Sequence, residues 1–188
     1  MRVMRSVIGL ETFWNNLIPS KMSTLVWRLF HKRLPTKENL RKRGVVLNSF
    51  ALCVGGCVNP ETEDHLFFNC PMLGAIWREI VRWLGILVVL AEGGPTHLLT
   101  LKNLVLGNGK VRDRMGVIWF VVVSLIWKVR NYMIFNHTGF DWEKLLEESK
   151  ILSWRILKAQ SKGFICDLSM WHMNPLACVR VNGGRLHE

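Results

Sequence analysis

The chain has 188 residues and a formal charge of +11, from 25 Lys and Arg against 14 Asp and Glu. With 49% apolar residues it is not a largely disordered chain and is long enough to bury a sizeable core. The basic excess favours polyanionic partners, nucleic acid or an anionic membrane surface.

Residues 1–12 show no pattern, and the first organised signal begins near Phe13-Trp14. From Ser20, a candidate N-cap after Pro19, the apolar residues Met22, Leu25, Val26, Leu29 and Phe30 fall at helical spacing, which predicts an amphipathic helix that Pro35 terminates. Thr36 is placed to cap a second, short helix through Leu40 that ends at Gly44. Between Lys21 and Arg43 stand eight basic residues and one acid, Glu38, so this stretch alone carries a net +7. Arg28, Lys32, Arg33, Lys37, Arg41, Lys42 and Arg43 are the candidate phosphate contacts; the alternative is a solvated helix face. Trp27 has two readings, stacking on an unpaired base or packing between helices.

Three of the five cysteines and one of the six histidines then fall within eighteen residues, as Cys53-x3-Cys57-x7-His65-x4-Cys70. Three thiolates and one imidazole suit a closed tetrahedral zinc site with no position left for a metal-bound water. Gly55-Gly56 permits the tight turn that aims both flanking sulfurs at one ion. Thr62 can cap a short helix carrying His65, and Pro71 biases Cys70 out of the helical region. The chain must bend there, because residues five apart on a regular helix point in different directions. The competing reading of the cysteines is buried reduced thiols, or a disulfide pair plus a spare. A charged n-region followed by an apolar h-region and a small-residue cleavage site is not present, so a nuclear or cytoplasmic location with reduced thiols is expected, and secretion is not.

Pro71 also fits the first position of a helix whose apolar residues run from Leu73 to Leu84 and which Gly85 closes. Residues 86–112, rich in glycine breaks, read as a linker. Met115 to Trp127 is an apolar run interrupted only by Gly116 and Ser124, short for a bilayer span and better suited to a core helix. Asp141 caps a further amphipathic helix closed by Gly163. Cys166 and Cys178 read as isolated packing residues, and the segment from Asp167 onward has no period. The expected fold is mainly α: a helical zinc-knuckle domain at 13–85, the linker at 86–112, and a helical hairpin lobe at 113–188.

Ile18-Pro19-Ser20-Lys21, Val26-Trp27-Arg28, the Arg33-to-Leu40 turn, Arg43-Gly44-Val45 and the Cys/His block, taken together, resemble the reverse-transcriptase zinc-binding domain. That domain lies near the C-terminus of plant LINE-type non-LTR retrotransposon polyproteins and also occurs in short detached reading frames. The segments Ile126 to Asn131 and Trp171 to Leu176 look like the tail that follows it. The resemblance implies Cys53, Cys57, His65 and Cys70 as zinc ligands and nucleic acid, RNA or DNA, as partner. The reverse transcriptase of origin is a further implied partner. The Cys-x3-Cys pair departs from the more frequent Cys-x2-Cys by one residue.

No enzymatic activity is expected. The chain contains no Asp-Asp pair, its tyrosine, Tyr132, precedes Met133, and neither a phosphate-cradling Gly-x4-Gly-Lys nor a Gly-x-Ser-x-Gly elbow occurs. The alternative function is a structural or protein-interaction remnant of the polyprotein, with membrane association through 115–135 as a minor option.

Overall fold

Ser20–Phe30 forms the first helix, α1, with Pro19 in extended geometry at its cap position and Ser20 inside the first turn. Here and below, the computed structural model describes residues 15–46, 51–136 and 139–181; the expected onset at Phe13-Trp14 and the last residues of the expected 113–188 lobe lie outside them. Val26, Leu29 and Phe30 form the buried face of α1. The helix stops before Pro35. Lys32 adopts φ +53°, and the Arg33 and Lys32 amides donate to the carbonyls of Arg28 and Leu29, a left-handed closure usually built on glycine. Thr36 caps α2 (Lys37–Lys42) by accepting from the Asn39 amide at 3.3 Å, and Gly44, at φ +76°, ends it.

A loop pinned by a bridge between Leu52 and Pro60 leads into a π-helical turn at His65–Asn69. Helix α3 spans Ile76–Trp83, five residues later than Pro71 suggests, because Pro71 to Ala75 form turns instead. Gly74 lies within that bend, where an added Cβ would meet the Phe68 carbonyl at 2.8 Å. Gly85, at φ +68°, closes α3 as expected.

Residues 86–112 are not merely a linker. They contain α4 (Gly94–Asn103), whose Leu98 and Leu101 are fully buried. The buried cluster runs without interruption from Ile18 to Val179, so the core is continuous across this stretch.

The organising element is α5 (Gly109–Asn136), which packs against α1, α4 and α6 (Trp142–Gln160). Arg114 near its start bonds Ser161 beyond α6, while Lys128 near its end pairs with Glu148, so α5 and α6 run antiparallel as a hairpin. At 28 residues α5 is long and apolar enough to cross a membrane by length and composition, yet Arg114 to Val123 are buried on every side by the other helices. Among the described residues no β-strand occurs, and the fold is mainly α.

Asp167 and Asn174 cap two short helices, α7 (Leu168–Met173) and α8 (Pro175–Arg180), in the segment without periodicity. They bring Cys166 and Cys178 into a disulfide, with Cα atoms 5.6 Å apart. This corrects the reading of both as isolated packing residues, and for this pair the expectation of reduced thiols: the chain reverses at Asn174-Pro175, a tertiary event that the spacing does not encode. Tryptophans fasten the helices together through their indole N–H groups. Trp77 donates to the Phe67 carbonyl, Trp83 to His172, Trp154 to Cys166 and Trp171 to Lys150.

Candidate zinc centre and basic groove

The knuckle brings together the four residues read from the spacing. Cys70 Sγ lies 3.7 Å from both Cys53 Sγ and Cys57 Sγ, Cys57 Sγ lies 3.0 Å from His65 Nε2, and all four donor atoms fall within 4.8 Å of one another. With a zinc–sulfur bond of about 2.3 Å, the edge of a tetrahedron is about 3.8 Å. The donor set therefore fits zinc in size as well as in chemistry.

Local sequence explains each position. Gly56 takes φ +76°, and a Cβ on Gly55 would press on Cys70 Sγ at 3.1 Å, so both glycines are needed to let the sulfurs converge. Thr62 caps the following turn by accepting from the His65 amide at 3.1 Å. The Cys70 amide then donates to the His65 carbonyl at 2.7 Å, a five-residue closure that turns Cys70 back over His65. Cys70 itself is extended, as the following proline requires.

Cys53 and Cys70 are buried, while Cys57 and His65 are half-buried. The Gly55 and Leu73 amides donate to Cys53 and Cys70 sulfurs, each at 3.4 Å. The hydrogen bond from Cys53, reinforced by the Leu73 and Met72 amides, holds the Cys70 thiol well below its usual range. The same hydrogen bond and burial push Cys53 up. Amide donors of this kind stabilise thiolates and orient metal ligands. Zinc bound here would cross-link the loop to the turn; four protein donors complete a tetrahedron, which is the arrangement of a shape-holding site.

Two residues that sequence reasoning passed over dock the knuckle on α5. Glu61 is fully buried, and its Oε1 accepts from Arg130 Nη2 at 2.5 Å, Arg130 Nε at 3.2 Å and the Lys37 amide at 2.9 Å. Arg130 also donates to the Pro35 carbonyl at 3.2 Å and sits 4.8 Å from the Trp127 ring centre. Glu63, buried as well, accepts from Asn39. Glu61, Glu63 and Asp64 stand together as a run of acids in a stretch, 44–77, that holds no Lys or Arg, the one signal that could have singled them out.

The seven candidate phosphate contacts separate into groups. Lys32 pairs with Asp64 at 2.5 Å, and Arg41 and Lys42 share Glu38. Arg33 lies over Trp27, 5.3 Å from its ring centre, and Arg43 is exposed. Trp27 itself is half-buried against the core. Arg28 and Lys37, joined by Lys21, line a groove of about 740 Å³ between α1, the Leu34-to-Leu40 segment and the last turns of α5.

Fold and site together define a helical, zinc-binding module. Residues 4–77 match a family model described as zinc-binding in reverse transcriptase, a stretch that includes all four ligands and the whole basic segment. Comparison with curated proteins and with solved structures returns no match.

Proposed function

We propose that the chain is a zinc-dependent nucleic-acid-binding module, with RNA as its ligand, derived from a non-LTR retrotransposon reverse transcriptase of the plant LINE type as a detached piece. It has no polymerase activity of its own and acts in the nucleus or cytoplasm. The observation that carries this reading is the basic segment. Its helices are tied to the zinc knuckle by Lys32–Asp64, Asn39–Glu63 and Lys37–Glu61 contacts, so metal fixes where the positive charge is presented. Arg28, Lys32, Arg33, Lys37, Arg41, Lys42 and Arg43 then neutralise phosphates, which gives affinity without base selectivity.

Titration of zinc-loaded protein with labelled RNA and DNA over a range of salt tests this. Affinity should fall steeply with salt, by roughly 0.7 to 0.9 in log–log slope per phosphate contact. Joint replacement of Arg41, Lys42 and Arg43 by Gln should flatten the slope and weaken RNA and DNA alike. Salt-independent binding, or none, contradicts the reading.

A protein-interaction remnant is the second reading, favoured by the exposed apolar side chains of Leu87, Val89 and Leu106. In that case the reverse transcriptase of origin is the partner.

A further inference from the structure

We infer that the groove between α1 and the end of α5 is a single-strand site, in which unpaired bases enter an apolar trough and their phosphates lie along a cationic rim. The inference rests on the nucleic-acid reading above and goes further by naming the surface and the form of the ligand.

The trough is floored by Leu25, Leu34, Leu40, Trp127 and Ile134. Four of its lining residues, Lys21, Arg28, Lys37 and Arg130, are basic, and none is acidic. Arg130 is committed to Glu61 and is framework. Among the described residues, Lys21, Arg28 and Lys37 form no ion pair, whereas Lys32 meets Asp64 and Arg41 and Lys42 share the one Glu38 carboxylate, so the groove cations offer their full charge to a ligand and the Arg41–Lys42 pair a net charge of about one. Phe135, which also lines the groove, is 75% exposed, and Tyr132 one turn earlier on α5 is 55% exposed. Exposed rings beside free cations form a stacking platform with an electrostatic rail.

The geometry selects a single strand over a duplex. A duplex keeps its bases stacked inside and offers phosphates alone, which leaves both the apolar floor and the Phe135 ring without a use. Lys21 and Arg28 lie seven residues apart on α1, about 10 Å along the helix axis, which matches the rise of about three stacked bases at 3.4 Å each. An acidic amphipathic helix is the protein ligand that would also find cations around an apolar floor, and the experiment separates it.

The test is fluorescence anisotropy on the zinc-loaded full chain, with labelled uridine and thymidine oligonucleotides of about 20 nucleotides, a duplex of the same length, and a labelled acidic amphipathic peptide. The parent should bind both single strands more tightly than the duplex. Phe135→Ala, at an exposed position that leaves the fold intact by circular dichroism, should lower single-strand affinity roughly five- to hundredfold, and Phe135→Trp should restore it. A Lys21→Gln/Arg28→Gln variant should reduce the single-strand salt slope by about 1.4. If nucleic acid binds with a normal salt slope but Phe135→Ala and Lys21→Gln/Arg28→Gln leave it unchanged, the groove assignment is overturned and the broader function stands. If no probe of nucleic acid binds, both fall. Peptide binding that Phe135→Ala abolishes and that excess oligonucleotide does not displace assigns the groove to a protein and overturns the inference.

Discussion

Replacing Arg130 by Met should remove the charge that holds the zinc knuckle to α5 while keeping a flexible apolar stem in place. Glu61 is 0% exposed, its Oε2 has no hydrogen-bond partner, and its Oε1 would retain only the Lys37 amide. Breaking a buried ion pair by deleting one partner costs about 3–5 kcal/mol, because the surviving charge cannot reach water. The Pro35 carbonyl also loses a donor, adding about 1 kcal/mol. Arg130→Met should therefore destabilise the protein by about 4–6 kcal/mol in urea unfolding of zinc-saturated samples. The double variant Arg130→Met/Glu61→Met removes both charges and leaves the Lys37 amide and the Pro35 carbonyl without these partners, along with the Asn131 side-chain oxygen on a half-buried residue. It should cost about 2 kcal/mol, less than the single change. A single variant that loses under about 1 kcal/mol, or a double variant as unstable as the sum of the two singles, would refute this account of the docking.

Burial holds His97, which accepts from Trp119 Nε1 at 2.9 Å, down to about 4 against 6.5 when exposed. The unfolded chain therefore takes up the proton first as pH falls. Stability present above about pH 6.5 is lost toward pH 4, about 2 kcal/mol of it by about pH 5, and His97→Gln should remove that part of the slope in parallel urea titrations; an identical slope contradicts it. Cys57→Ser should abolish stoichiometric zinc binding in freshly reduced protein, measured by elemental analysis; full zinc retention would remove Cys57 from the ligand set. A Cys166→Ser/Cys178→Ser variant should lose about 3 kcal/mol, since the bond closes a loop of sequence separation 12; an unchanged urea midpoint would show the closure to be without effect.

What could be read from the sequence was local. The caps at Thr36, Thr62 and Asp141 and the closures at Gly44 and Gly85 lie within a few residues of the groups they satisfy, and each is in place. The four metal ligands were legible for the same reason, since eighteen residues contain the whole donor set. Helix α4 was hidden because Gly93-Gly94-Pro95 looks like a break. In the fold Gly94 and Pro95 open the helix, and the Phe30 ring lies where a Cβ on Gly94 would go, at 2.7 Å. The end of α1 was misplaced because a lysine took the left-handed position that glycine usually marks. Glu61 and Arg130 are 69 residues apart, and Cys166 meets Cys178 only after a chain reversal. Pairings of that kind are set by packing, to which neither periodicity nor spacing refers. The groove belongs to the same class, since its cations come from α1 and α2 and its exposed ring from α5.

The measurement that tests the central claim most directly is the affinity of one preparation for labelled RNA when zinc-loaded, after chelation, and after zinc is restored. The account predicts steeply salt-dependent binding by the zinc form, a loss of at least about tenfold on removal of the metal although every positive charge remains, and recovery when zinc returns. Equal affinity with and without zinc would contradict it, because the basic segment would then be positioned by something other than the Cys53, Cys57, His65 and Cys70 centre.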